Sequence, residues 1–277
     1  MHDWVSELSR GQWVLDLGAG AGSLKSYEYA CSVVSVDCDP HAFTYGYRPE
    51  SILFHVIASG DSLPFAGATF DLILCHHVLE HVANLEAVLK ELSRVLKPDG
   101  RLYVSVPNGY GLCDGIYRYV FEGGDHVNRF TRQALIDTVQ TRVGVELTAW
   151  QKLYSSFAYL ARTKNLDVDH LPDLPARLRR IARLPSKLIA AVQSGLYLGT
   201  RLADRIAGVD WALYGWAFYF ERKPQSGVKE NPAYVNVCLY CGSGHPAESL
   251  VRSYGMFYRC SICNSRGIYF PPFRNAL

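Results

Sequence analysis

A doubly wound α/β fold is what this chain predicts, and three observations predict it. Val14-Leu15-Asp16-Leu17-Gly18-Ala19-Gly20-Ala21-Gly22 runs an apolar strand into a glycine-spaced turn. A second apolar strand, Val33-Val34-Ser35-Val36, ends on Asp37 about one βα unit later. Phe70 to Leu74 is an apolar run bounded by turn signals, the pattern of a parallel strand buried on both faces.

Each element has a local reason. Glycines at the first turn let the backbone approach a ligand and adopt conformations that other residues resist. A carboxylate at the end of the second strand can accept both hydrogens of a ribose diol. Together they describe a pocket for a nucleoside-containing cofactor. The spacing then separates cofactor classes. A dinucleotide site reads G-x-G-x-x-G and seats a pyrophosphate on a helix N-terminus. Here the pattern is Asp-x-Gly-x-Gly-x-Gly, with Asp16 two residues before the first glycine. An acid there repels a pyrophosphate and suits a cation such as an amino group or a sulfonium. Further on, Val82, Leu85, Val88, Leu89, Leu92, Val95 and Leu96 recur at helical spacing, and Pro98-Asp99-Gly100 is the turn expected to end that helix. Asp125-His126-Val127-Asn128-Arg129-Phe130-Thr131 precedes an amphipathic helix containing Leu135, Ile136 and Val139, with Thr131 as its cap. Val145 to Trp150 and Tyr214 to Arg222 read as the last two strands.

The glycine turn is followed by Leu63-Pro64-Phe65, Phe70-Asp71-Leu72-Ile73-Leu74 and Val78-Leu79-Glu80-His81-Val82. Next come Leu92-Ser93-Arg94-Val95-Leu96-Lys97-Pro98-Asp99-Gly100 and Arg101-Leu102-Tyr103-Val104-Ser105-Val106-Pro107-Asn108. In this order, over roughly residues 11 to 150, they resemble the class I S-adenosylmethionine-dependent methyltransferases of the small-molecule type. The resemblance implies a seven-stranded sheet ordered 3-2-1-4-5-7-6 with the last strand antiparallel, in a domain covering residues 1–223. Residues from about 165 to 208 would be a helical insertion between strands six and seven. It assigns the methionine end of S-adenosylmethionine to Asp16, Gly18, Ala19 and Gly20, and the ribose to Asp37. Adenine would lie against Ser59, Gly60 and Asp61, and His76 joins the cofactor-binding set. Many relatives carry an acid where Ser59 stands, and Asp61 could substitute for it after a small loop shift.

Methyl transfer needs mainly placement, because a sulfonium is already activated. A base is needed only for a hydroxyl or another protonated acceptor, and the candidates are His126 and His81. His126 falls in a loop after strand five, where substrate-covering segments commonly lie in this fold. His77, Glu80 and His81 are spaced i, i+3 and i+4, which would share one helical face. That face resembles the metal-binding Glu-x-x-Glu-His of ubiquinone-pathway O-methyltransferases, with histidine in place of the first glutamate.

Eight cysteines form two groups. Cys31, Cys38, Cys75 and Cys113 are scattered and read as reduced core or near-core thiols. Cys238-Leu239-Tyr240-Cys241 and Cys260-Ser261-Ile262-Cys263 are two C-x-x-C knuckles separated by 18 residues, the spacing of a four-cysteine zinc ribbon. A disulfide pair or a redox C-x-x-C is the other reading. Residues 224–233 make a breaker-rich linker, leaving 234–277 as the ribbon. So short a module buries little surface, and a structural zinc contributing about 10–16 kcal/mol of apparent binding energy would decide its folding. A ribbon of this kind resembles one commonly found ahead of a methyltransferase domain. Its place behind one here is what a piece cut from a longer tandem protein would show.

With 277 residues, half of them hydrophobic, and a formal charge of +2, the chain can bury a sizeable core and makes no case for or against nucleic acid. No apolar run approaches the roughly 20 residues that cross a bilayer, and no signal-peptide pattern stands at the N-terminus, which predicts a cytoplasmic protein. Arg177, Arg179, Arg180, Arg183 and Lys187 make part of the insertion basic. That is the signature of a solvated face, or of contact with an anionic substrate, a membrane surface or RNA. The expected function is methyl transfer to oxygen or nitrogen of a small metabolite or of a carrier-linked sugar or lipid precursor. The alternatives are an RNA methyltransferase guided by the ribbon and the basic insertion, and a non-catalytic cofactor-binding scaffold. The Asn-Pro-Pro-Tyr of exocyclic-amine methylases is absent, and Val106-Pro107-Asn108-Gly109 stands near its place.

Overall fold

The computed structural model describes residues 4–5, 7–20, 30–42, 53–122, 126–154, 160, 175–223, 229–230, 235–237, 244–246, 251–254, 257–259, 264 and 266–268. The chain divides into two compact units. The first comprises Met1–Val106, Val127–Trp150 and Ala217–Asn231; the second comprises Pro107–His126, Gln151–Trp216 and Pro232–Leu277.

The main sheet contains β1 (Trp13–Leu17), β2 (Ser32–Asp37), β3 (Leu53–Ile57), β4 (Phe70–His76), β5 (Leu96–Pro107), β6 (Glu146–Tyr154) and β7 (Leu213–Glu221). Their order is β3-β2-β1-β4-β5-β7-β6, as the resemblance implied. β1 pairs in parallel with β2 and β4, β2 with β3, and β4 with β5. β7 runs the other way: Arg222 N–H donates to Gly100 C=O at one end, and Asn108 N–H donates to Tyr214 C=O at the other. Higher numbers on β5 thus meet lower numbers on β7, which defines an antiparallel pair. The centre of the sheet is apolar on both faces. Val14, Leu15, Leu17, Phe70 and Leu72 to Cys75 are all buried, as helix-covered parallel strands require.

Helix α1 (Leu85–Val95) buries Val88, Leu89, Leu92 and Val95, and the side chain of its N-cap Asn84 accepts the Ala87 N–H at 3.1 Å. It ends differently from expectation. Its last carbonyls are taken by the incoming loop, with Ala68 N–H on Arg94 C=O and Thr69 N–H on Val95 C=O. Leu96 is already extended (ψ 133°), so Leu96 and Pro98-Asp99-Gly100 belong to β5 and not to a separate turn. Asp71 fastens three strands together by accepting from Trp13 N–H (2.8 Å), Lys97 Nζ (2.8 Å) and Gln12 Nε2 (3.5 Å).

Within the second unit, α2 (Leu112–Val120) shares a core with the segment between β6 and β7, through Cys113, Val120, Leu160, Leu178, Ile189 and Tyr197. α3 (Arg132–Val139), back in the first unit, starts where expected, the Thr131 hydroxyl accepting the Ala134 N–H at 3.3 Å. The chain between β6 and β7 carries α4 (Ala176–Arg183) and α5 (Ser186–Ala207). Beyond β7, three short strands, Val251–Tyr254, Phe257–Arg259 and Arg266–Ile268, form an antiparallel sheet. Cys238, Cys241, Cys260 and Cys263 lie outside the described residues.

Candidate active site

At the carboxyl ends of β1, β2 and β4 the chain leaves the sheet where strand order reverses, the place at which doubly wound folds hold ligands. Gly18 and Gly20 have φ of +62° and +51°, the left-handed region that glycine enters without strain. At Gly18 space adds a second demand, because an added Cβ would come within 2.6 Å of Val78 Cγ2. Nothing lies within 4 Å of a Cβ added at Gly20. Asp37 faces this turn: Gly20 N–H donates to its Oδ2 at 2.8 Å, and Asp39 N–H donates to its Oδ1 at 2.9 Å. Ala19 N–H donates to Val36 C=O, so the turn is tied to the end of β2 by backbone and side chain together. Asp16 sits one strand register inward, opposite Ser35 and Leu74, and is buried.

After β3, Ser59 and Asp61 are exposed and Gly60 is half-buried. The loop that follows is held rigidly by α1. Arg94 donates to Leu63 C=O (2.9 Å) and Phe65 C=O (2.6 Å), while Glu91 accepts the Leu63 N–H (2.8 Å). At the end of β4, His76 Nδ1 lies 2.7 Å from Ser105 Oγ.

His77, Glu80 and His81 do not share a helical face. His77 has φ of +57°, and residues 77–84 form bends and turns ahead of α1. The cause is a contact distant in sequence: this stretch must bring Val78 over Gly18 before the helix can begin, and a helix starting at His77 would carry Val78 elsewhere. The three side chains still converge. Buried Glu80 places Oε1 at 3.2 Å from His77 Nδ1 and 3.9 Å from His81 Nε2. The loop is pinned by Asn128, whose side chain donates to Leu79 and Val82 C=O (2.9 and 2.7 Å) and whose N–H donates to Glu80 C=O.

The second unit holds its own polar centre. His126 Nδ1 lies 2.7 Å from Asp114 Oδ1, Arg118 Nε donates to Asp114 Oδ2 at 2.7 Å, and Tyr117 stacks on the imidazole with centroids 4.5 Å apart. An ionised carboxylate can only accept, so Asp114 fixes the proton on Nδ1 and leaves Nε2 as the basic nitrogen. Burial pushes the Asp114 carboxyl up, but its hydrogen bonds to His126 and Arg118 outweigh that and hold it below the ordinary aspartate range. Asp114 and Arg118 escaped the sequence reading. Their i, i+4 spacing on one helix was the available signal.

Of the four scattered cysteines, Cys31, Cys75 and Cys113 are buried, whereas Cys38 is exposed. Burial pushes the Cys75 thiol far up, and the Asp16 and Glu80 carboxylates add to the shift, so it is no nucleophile.

Residues 15–104 match the family described as a methyltransferase domain. Among relatives, it is 30% identical over 151 residues to the uncharacterized methyltransferase YcgJ of Bacillus subtilis, covering 52% of this chain and 55% of that one. It is 35% identical over 100 residues to a demethylmenaquinone methyltransferase of Corynebacterium glutamicum, covering 36% of this chain and 43% of that one. It is 26% identical over 177 residues to a ubiquinone biosynthesis O-methyltransferase of Rhizobium johnstonii, covering 57% and 69% respectively. The chain thus spans about half the length of the first two of these relatives. The crystal structure of YcgJ superposes with a TM-score of 0.50 at 15% identity, over 79% of this chain and 95% of that one, which is a likeness of fold. The family match begins at β1 and closes within β5, so it contains the glycine turn, Asp37 and the Glu80 loop.

Proposed function

We propose that this protein transfers a methyl group from S-adenosylmethionine to oxygen or nitrogen of a small molecule. The observation that carries this reading is the first crevice: Gly18 and Gly20 in left-handed conformations, with Asp37 turned onto the Gly20 N–H. These residues fit the cofactor. Each carboxylate oxygen of Asp37 has two acceptor sites and accepts one backbone N–H here, which leaves capacity for a ribose diol. Buried Asp16 brings negative charge beside the turn, where a cationic ligand gains and a pyrophosphate loses. Bound S-adenosylmethionine supplies a methyl group already activated on its sulfonium. The Asp16–Gly20 turn would hold the methionine end, Asp37 the ribose, and the Ser59–Asp61 loop, fixed through Arg94 and Glu91, the adenine side. His126, its Nδ1 held by Asp114, is the candidate base for a hydroxyl acceptor, and His81 is the second. The names of two relatives, a demethylmenaquinone methyltransferase and a ubiquinone biosynthesis O-methyltransferase, support a small molecule as acceptor.

Calorimetry tests the cofactor assignment. S-adenosylmethionine and its demethylated product should bind, NAD much more weakly, and Asp37→Ala should weaken binding by about 1.5–3 kcal/mol, the range for charged hydrogen bonds. Equal affinity for NAD, or an indifferent Asp37→Ala variant, would overturn it. A screen with labelled cofactor against metabolite pools then identifies the acceptor.

For the C-terminal segment we propose a structural zinc on Cys238, Cys241, Cys260 and Cys263. In sequence, Cys260 and Cys263 fall between two antiparallel strands whose last pair is Arg259 with Arg266, the setting in which a knuckle turns its thiolates to one point. A shell of four thiolates is closed, so the metal would stabilise and not catalyse. Elemental analysis should find about one zinc per chain, and Cys260→Ser should lose it while cofactor binding persists. Metal-free protein with an ordered C-terminal segment would count against it.

A further inference from the structure

Helix α5 carries a second apolar face that its unit leaves uncovered. Its buried residues are Ile189, Gln193, Tyr197, Thr200 and Arg201, so the face turned into the second unit joins the core through Ile189 and Tyr197 and also carries polar side chains. Its outer face carries Leu188, Val192, Leu198, Leu202 and Ile206, exposed from 42% at Leu198 to 76% at Ile206. Leu188, Val192, Gly195, Gly199, Leu202 and Ile206 are spaced alternately by four and three residues, which lines them along one stripe opposite Gln193 and Thr200. A Cβ added at Gly195 or Gly199 would meet nothing within 4 Å, so the stripe opens on empty space. At 1.5 Å per residue it runs about 27 Å from Leu188 to Ile206, and no charged residue interrupts it. Single exposed leucines are ordinary, but a continuous apolar band marks a surface that something covers.

Charge identifies the partner. Arg177, Arg179, Arg180, Arg183 and Lys187 lead into the stripe, and no Asp or Glu occurs from Pro175 to Ala203. The next acid, Asp204, accepts the N–H groups of Trp211 and Ala212 (2.6 and 3.0 Å). A second copy of the chain would bring the same cations and no acid to meet them. A protein groove usually grips aromatic anchors, whereas this stripe is aliphatic and glycine throughout. An apolar face of that kind beside a basic segment matches a helix lying in the plane of an anionic lipid surface. Trp211, half exposed just after the left-handed Gly208 cap, adds a side chain suited to the headgroup level. Crossing the bilayer is another matter: no described helix is long and apolar enough to span a membrane.

We propose that the outer face of α5, with the cations of α4 and Lys187, is a peripheral docking surface for a bilayer containing anionic phospholipid. A chain docked there would meet acceptors dissolved in the membrane. The proposal rests on this surface alone, and cofactor binding is measured separately from it. The full chain is floated with vesicles of phosphatidylcholine, or of phosphatidylcholine mixed with phosphatidylglycerol. It should float with the mixed vesicles and weakly or not at all with the neutral ones. Val192→Asp with Leu202→Asp should keep the melting temperature and cofactor affinity while lowering partitioning by about tenfold or more. Arg180→Gln with Lys187→Gln should lower it by about fivefold for each cation lost, a difference that shrinks in high salt. Absence of flotation with the mixed vesicles, or an aspartate variant that floats like the parent, would overturn the proposal. So would a parent dimer in light scattering that the aspartate pair turns into a monomer with lipid binding unchanged, since the face would then belong to a second copy.

Discussion

Helices α1 and α5 both pack apolar residues into their units, but α5 leaves a second apolar face uncovered. In α1 the apolar residues Val88, Leu89, Leu92 and Val95 face inward. In α5 Ile189 and Tyr197 face inward beside Gln193, Thr200 and Arg201, and a leucine–valine–isoleucine band faces out. The comparison extends beyond the helices. The first unit has an apolar sheet centre, with Asp16 and Glu80 buried near strand ends and backbone N–H groups holding Asp37 in place. The second unit also buries polar chemistry, with His126, Asp114 and Arg201 inside and Asp114 paired to both His126 and Arg118. An apolar period therefore tells which side of a helix is hydrophobic, and only packing tells which side is covered. Burying polar groups costs stability unless they are paired, so a unit that does so keeps them for chemistry or for a surface.

The sharpest way to test that contrast is at His126. If the buried polar centre of the second unit serves the reaction, His126→Ala should lower turnover on a hydroxyl acceptor by about 10²–10⁴-fold with cofactor affinity nearly unchanged. His126→Gln, which keeps a hydrogen-bonding side chain but no useful base, should fold like the parent and be as slow. A loss under tenfold in both variants would make the histidine structural and reduce the second unit's polar interior to packing.

The two helices can be compared directly by one substitution made in each. Leu92→Ala removes a fully buried side chain and should destabilise by about 2–5 kcal/mol. Leu202→Ala, on the exposed band, should stay within about 0.5 kcal/mol. Denaturant midpoints with an unchanged slope measure both. A large loss at Leu202 would mean that α5 is covered within the chain, which would remove the basis for a docking face.

How far the fold could be read in advance differs between the units for the same reason. β1, β2 and β4 were legible because buried parallel strands are continuous apolar runs, and Thr131 because a cap is a local hydrogen bond. The glycine turn and Asp37 were legible because backbone conformation restricts which residues can stand there. What failed was set by contacts distant in sequence. The helical period appeared to run on through Leu96, but the N–H groups of Ala68 and Thr69 take its last carbonyls and Leu96 starts a strand. His77, Glu80 and His81 had helical spacing, yet Val78 must pack on Gly18, 60 residues earlier in the chain. Asp114 drew no notice in the sequence because its partner His126 lies beyond the end of its helix. The exposed face of α5 is not legible in sequence for a related reason: an apolar band at helical spacing is compatible with a core face, and only packing shows it uncovered.

The last comparison concerns Asp114, and it distinguishes a paired interior charge from a surface one. His126 and Arg118 hold its carboxyl below the ordinary value of 3.8 in the folded protein. A group whose pKa is depressed by folding contributes stability above its unfolded value, and that contribution is lost as pH falls through the folded value. The parent should therefore gain its full benefit at neutral pH and lose it below about pH 4. Asp114→Asn keeps the shape but removes the titrating group, so it should be less stable at neutral pH by about 1.5–3 kcal/mol. Its melting temperature should then fall less steeply in acid, and the two curves should approach each other below pH 4. Glu86, paired with Arg142 on the first unit's surface at 2.9 Å and well exposed, provides the contrast: Glu86→Gln should change stability by under about 1 kcal/mol. Parallel acid limbs for Asp114→Asn and the parent would show that the His126–Asp114–Arg118 cluster is not held as an ionised group in solution.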